Sequence, residues 1–197
     1  RLLNGGHSAL AHLGILAGYE RTDQAMADGA IRDYLSAAMR DEIVPLLDST
    51  PDIDLGEYCE TLLERFANPG VGDQLARLSE RGSVKMRAYL LPSVEDALAE
   101  GRPFDLLALA VAGWLRFLRG TDLDGRRIDV VDPMRGRLMA LARSGGSDPR
   151  PLLSEREVFG DLAEHERFIE AVGRHLETIE REGVRAALAR AELPLVA

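Results

Sequence analysis

The sequence predicts an all-α fold: a single multi-helix domain over residues 1–197, with about eight or nine helices of ordinary length. Three observations predict it. Apolar residues recur three and four apart in stretch after stretch, the period of one helix face. No strand–helix alternation runs through the chain, and no Gly-x-Gly-x-x-Gly follows a strand pattern, so neither a parallel sheet nor a dinucleotide cradle is written into it. With 197 residues, 46% of them hydrophobic and 29% charged, the chain is long enough for one sizeable core.

Residues 8–19 are apolar almost all round, broken by His12 and Gly14, which predicts a core helix packed closely through small residues. Asn4 is placed to cap its start, and His12 reads as a satisfied core or boundary histidine. After Asp28-Gly29, the residues Ile31, Tyr34, Leu35, Ala38, Met39 and Ile43 fall at helical spacing, and Pro45 stops or kinks that helix. Ser49-Thr50-Pro51-Asp52 reads as a turn. Asp54 then caps a helix through Tyr58, Leu62, Leu63 and Phe66 that ends at Asn68-Pro69-Gly70, with Cys59 as a small apolar filler.

Within residues 74–92, Arg77, Arg81 and Lys85 lie four apart. One continuous helix aligns them as a cationic stripe; a break at Gly82-Ser83, with Ser83 as a new cap, places Lys85 in a first turn. Pro103 opens the strongest helix, apolar from Phe104 through Leu118, with Trp114 as a packing residue and Gly120 as the stop. Residues 125–132 form a connector in which Ile128, Val130 and Val131 read as a short extended piece. A short amphipathic helix follows over 134–143, then a flexible loop over 144–149. Leu162, Phe168, Ile169, Val172, Leu176 and Ile179 mark a long helix, and 183–191 a shorter one. Its dense mixed charges put His165 and His175 on the surface.

The charge balance narrows the partners. Lys plus Arg is 24 against 33 for Asp plus Glu, a net of −9, which speaks against nucleic acid, since that partner needs clustered cations. No apolar run reaches the roughly 20 residues of a membrane span. A single cysteine, Cys59, forms no internal disulfide and suits a reducing, cytoplasmic setting. No pair of side chains has metal-ligand spacing; His7 and His12 are five apart rather than four. Of the 24 cations only Lys85 is a lysine, which reads either as chance or as a site wanting a compact ammonium rather than a planar fork.

The chemistry-bearing stretch is the first ten residues. Asn4 and His7 are three apart, so on a helix they share a face and can point into one cleft. Gly5 and Gly6 between them let a substrate approach the backbone closely. On spacing alone, Asn4 as a cap with His7 in a polar niche beside it is the more usual account of such a pair.

Leu2-Leu3-Asn4-Gly5-Gly6-His7-Ser8 resembles the signature of the polyol-specific long-chain dehydrogenases, the mannitol 2-dehydrogenase and fructuronate reductase family. A Lys precedes the Asn and His in that pattern; here it would fall before Arg1. Glu64-Arg65-Phe66-Ala67-Asn68-Pro69, then Arg77, then Gly82-Ser83-Val84-Lys85, resembles the same family, with departures at Val84 and Met86-Arg87. The resemblance implies a C-terminal, substrate-side helical domain like that of 6-phosphogluconate dehydrogenases, with the Rossmann domain and catalytic Lys outside this chain. It implies hydride transfer between a polyol's secondary alcohol and NAD or NADP, without a metal. Asn4 and His7 would be catalytic, Asn4 as oxyanion donor and His7 on the reacting hydroxyl. Arg77 and Lys85 would bind the polyol or ketose. The fragment alone would be inactive. A uronate reductase of the same family and a non-catalytic helical interaction module are the alternatives.

Overall fold

The computed structural model describes residues 1–48 and 53–191, so the turn expected at Ser49–Asp52 lies outside the described residues. Regular structure among the described residues is helical, in thirteen α-helical segments; extended backbone pairs only at two isolated bridges, Arg21 with Gln74 and Thr121 with Arg127. The eight or nine helices expected from periodicity are the longer of these. The four- to six-residue helices α2 (Thr22–Ala27), α5 (Leu75–Ser79), α6 (Gly82–Lys85), α10 (Arg150–Leu153) and α11 (Arg156–Phe159) are too short to show a period. No strand forms at Ile128–Val131. No helix among the described residues is long and apolar enough to cross a membrane.

The core is built on α8 (Asp105–Phe117), which is buried all round from Leu106 to Phe117. It lies between α1 (Leu2–Leu16) and α12 (Glu166–Glu182). Gly113 lets α1 come close: a Cβ there would stand 2.6 Å from Leu13 Cδ2. Gly14 of α1 does the same for Leu75 of α5, at 2.8 Å. One cation enters this apolar rod. Arg116 is buried because it donates to the carbonyls of Thr121 and Asp122 and pairs with Glu180 of α12 at 2.6 Å, pinning the connector beneath the core.

Two helices widen into π turns. The rod that begins as α3 (Gly29–Ala37) passes through a π turn, Ala38–Ile43, into a 3-10 turn, Val44–Leu46. The rod that begins as α6 passes through a second, Met86–Leu90, into α7 (Leu91–Glu100). Each π turn is followed by a proline two residues on, Pro45 and Pro92. Proline lacks the N–H and its ring crowds the carbonyl four residues back, so an added residue in the preceding turn relieves the clash. Pro45 therefore reshapes its helix before ending it.

The first π turn carries Glu42, whose buried carboxylate accepts from the N–H groups of Leu106 at 3.0 Å and Leu107 at 2.8 Å. It caps α8, whose own N-cap residue, Phe104, has no side chain for the task. Burial pushes the Glu42 carboxyl up from an ordinary 4.5 to about 7, the two N–H groups opposing. Beside it, Nε2 of His175 lies 2.9 Å from Asp105 Oδ1. His175 is 3% exposed, which corrects the surface placement: the mixed charges of α12 face solvent, but this one position faces α8. His165 is exposed as expected.

Because the folded pKa of Glu42 lies above its unfolded value, its contribution is full below pH 4.5 and is lost as pH rises toward 7. Glu42→Gln removes that slope. Urea unfolding at pH 4.5 and 7.5 should show wild type losing on the order of 3 kcal/mol relative to the variant across this window. Parallel pH dependences would show that Glu42 ionises freely in the fold.

Candidate active site

Helix α1 starts at Leu2, so Asn4 sits inside its first turn instead of capping it; the Asn4 carbonyl accepts from Ser8 Oγ at 2.9 Å. Asn4 and His7 are half-buried, one turn apart on one face. The glycines between them face the other way. A Cβ on Gly6 would stand 3.0 Å from Met39 Sδ in the first π turn; one on Gly5 would stand 3.5 Å from the Tyr89 carbonyl in the second. Gly6 lets the first widened turn come close, a Cβ on Gly5 would meet ordinary contact only, and both are buried against protein, which corrects the reading of Gly5 and Gly6 as an opening for substrate. Seated this way, the start of α1 is fixed between two elements, and Asn4 and His7 are fixed with it.

His7 stacks on Phe66 of α4 (Leu55–Ala67), ring centroids 4.6 Å apart. Helix α4 begins where Asp54 accepts from Gly56 and Glu57 N–H, as its sequence predicts. The His7 Nε2 is shielded from solvent and has no hydrogen-bond partner among the described residues. Burial pushes the His7 pKa down from 6.5 to about 4; Asp73 opposes this, while Lys85, Arg65 and Arg77 add to it. The imidazole is neutral near pH 7, with one buried nitrogen that has no hydrogen-bond partner among the described residues.

Lys85 is held by a fold-back. Arg81 is left-handed, φ 56°, and is the sole non-glycine residue at positive φ among the described residues. Its N–H donates to the Val131 carbonyl at 2.7 Å. The chain therefore turns between α5 and α6, and no continuous stripe of Arg77, Arg81 and Lys85 forms. Ser83 is not the cap of α6 but its second residue. Asp132, from the connector, takes the role, accepting from Ser83 N–H at 2.7 Å and Ser83 Oγ at 2.8 Å. Lys85 Nζ then reaches back to the Leu78 carbonyl of α5 at 2.8 Å. Burial lowers its pKa, with Arg77 and Arg81 adding and Glu80 opposing. Arg77 is exposed on α5 and paired with Asp73.

The fold thus gathers His7, Lys85 and Arg77 into one electrostatic neighbourhood, with Asn4 a turn away on the His7 face. Sequence reasoning passed over two further members. Arg65 lies in the stretch that resembles the family, but no role was drawn from it. Asp73 carries its own signal, an acid four residues before a cation, although it lies two residues ahead of α5 rather than on it. His12, by contrast, is a core residue, its Nδ1 3.0 Å from the Ser8 carbonyl and its ring 4.9 Å from that of Phe117. No group of three His, Cys, Asp or Glu among the described residues has the geometry to hold a metal ion. The described residues also lack a strand leading into a glycine-rich turn, so they do not form a dinucleotide cradle. What they offer is a set of directional donors around a neutral imidazole, which fits a small molecule rich in hydroxyls.

Residues 1–180 match the family described as mannitol dehydrogenase C-terminal domain. The mannitol 2-dehydrogenase of Aspergillus fumigatus is 42% identical over 189 residues, 95% of this chain and 38% of that protein. A mannitol dehydrogenase of Saccharomyces cerevisiae is 41% identical over 191 residues, with the same coverage. Among solved structures, mannitol 2-dehydrogenase of Pseudomonas fluorescens, in a ternary complex with NAD and D-mannitol, superposes with a TM-score of 0.91 at 33% identity, over 95% of this chain and 38% of that one. D-sorbitol dehydrogenase in substrate-free form superposes with a TM-score of 0.87 at 27% identity, over 95% and 39%. The chain spans about 38% of the length of the curated relatives it matches. Matched in sequence over nearly all of its length and in fold over the same span, this chain belongs to the mannitol dehydrogenase C-terminal domain family.

Proposed function

We propose that this chain is the polyol-binding part of an NAD- or NADP-dependent polyol dehydrogenase that oxidises mannitol, or a closely related polyol, to the ketose and runs the reverse reaction. The observation that carries the reading is the neutral His7, its Nε2 unpartnered, set among Lys85, Arg77 and Asn4. The nicotinamide, held by a Rossmann domain elsewhere in the parent protein, supplies the hydride acceptor.

Alcohol oxidation also needs a base for the hydroxyl proton and a donor for the oxyanion that develops. The base is the lysine that precedes Asn4 in the family pattern. Asn4 donates its amide N–H to the oxyanion; a neutral donor of this kind strengthens its bond as charge builds and binds the ground-state hydroxyl only modestly. His7, neutral, bonds the reacting hydroxyl or its neighbour. Lys85 has three N–H donors and gives one to Leu78, leaving two for the polyol chain. Arg77 adds its fork from α5. The lone Cys59, buried in α4, suits a reducing cytoplasm.

Arg77 and Lys85 also suit the carboxylate of a sugar acid. The pairing of Arg77 with Asp73 favours the neutral substrate, because it offsets one of those charges. Assaying the full-length protein on a panel of polyols and uronates separates the two. In that protein Asn4→Ala should lower kcat by a factor on the order of 10²–10³ with KM little changed, as for loss of an oxyanion donor. A change confined to KM would remove Asn4 from the oxyanion role, and a wild type inactive on every substrate in the panel would favour the interaction module.

A further inference from the structure

Three cations, Lys85, Arg65 and Arg77, and one carboxylate, Asp73, act on His7. A neutral polyol needs donors around it but gains nothing from net charge; a sugar acid gains from every uncompensated cation. Asp73 is placed to decide which of the two the site favours. It is 19% exposed, against 61% for its partner Arg77 four residues on. Its backbone is fixed: Thr22 N–H donates to the Asp73 carbonyl at 3.0 Å, Gln74 pairs with Arg21, and Leu75 N–H donates to the Glu20 carbonyl at 2.9 Å. With the backbone at Asp73 and just after it tied to residues 20–22, the carboxylate is presented from a fixed point, and Arg77 is paired with it in the free fold.

We propose that Asp73 is a specificity-determining residue: it positions Arg77 and offsets its charge, so that the site prefers an uncharged polyol to the sugar acid of the same length. The proposal rests on the polyol-dehydrogenase reading above. It acts by making the wrong substrate less welcome as much as by holding the right one.

The test uses the full-length protein, with D-mannitol oxidation and D-fructuronate reduction as the two arms. Asp73→Asn keeps the shape and removes the charge. It should lower kcat/KM for mannitol and raise it for fructuronate, moving their ratio by about tenfold or more, the scale expected of one charge close to a half-buried site. Asp73→Glu, which keeps the charge, should leave the ratio nearer wild type. In an Arg77→Met background, Asp73→Asn should no longer move the ratio, because its route runs through Arg77. An unchanged ratio, or equal losses in both arms from Asn and Glu alike, would reduce Asp73 to a structural residue and overturn the proposal. If the wild type itself turns over neither substrate, the functional reading fails and takes the proposal with it; that outcome is told apart by the wild type alone.

Discussion

Lys85→Arg in the full-length protein lowers kcat/KM for the polyol by a factor on the order of 10²–10³, although it preserves the charge. The ammonium is a compact group whose place is set by the Leu78 carbonyl at 2.8 Å and by the turn at Arg81. It stands close enough to His7 and His12 to act on both imidazoles. A guanidinium is longer, planar and demands five bonds in a fixed fork. It cannot keep the Leu78 bond and also present donors where the ammonium presented them, and a displacement of about 1 Å at a reacting centre costs roughly 10²-fold. Burial already holds the Lys85 pKa below its ordinary value, whereas an arginine keeps its full charge there and must be solvated by something. Steady-state kinetics on the variant, with its melting temperature measured alongside, decides the matter. Activity within about threefold of wild type would mean that the site asks of this position only a positive charge, against the distinction between the two cations.

Gly82→Ala destabilises the same region from beneath. A Cβ at Gly82 would stand 2.5 Å from Nε1 and 3.3 Å from Cδ1 of Trp114. Trp114 is fully buried and leans on Phe159, ring centroids 5.8 Å apart, so it cannot swing aside. The backbone cannot retreat freely either: Arg81 is tied to Val131 on one side and Ser83 to Asp132 on the other. The expected loss is about 3 kcal/mol, the upper part of the overpacking range, or roughly 6–12 °C in Tm for a chain of this size. Gly136→Ala is the control. It lies inside α9 (Arg135–Gly145), where a Cβ meets nothing within 4 Å, so the better helix former should leave stability unchanged or raise it slightly. Equal melting temperatures for the two variants would show that Trp114 gives way.

What could be read from the chain divides by range. Helices whose apolar faces repeat over ten or more residues, α4, α8 and α12, follow from spacing, because the period is a local property. The roles proposed for Asn4, His7, Arg77 and Lys85 come only from the family resemblance; nothing in their spacing says that two segments so far apart in sequence meet. The misread positions share one cause. Asp132 caps α6 from 49 residues away and Glu42 caps α8 from 64, so Ser83 and Pro103 as local start signals lost to carboxylates supplied by the fold. His175 looks solvated because its neighbours in sequence are, yet the residue that matters to it, Asp105, is 70 positions distant. Gly5 and Gly6 sit within the motif and invite a functional reading, but both are buried, and the close approach Gly6 permits is to Met39.

The widened turn over Met86–Leu90 has a consequence in helical phase. Each residue of an α-helix advances the side-chain direction by about 100°, so one additional residue absorbed in a wide turn rotates everything before it by about that angle relative to everything after. Downstream, α7 must point Leu91, Val94 and Ala97 at the core. Upstream, α6 must point Lys85 back at the Leu78 carbonyl of α5. The wide turn acts as a fixed angular offset that lets a single rod serve the core at one end and hold Lys85 against the Leu78 carbonyl at the other.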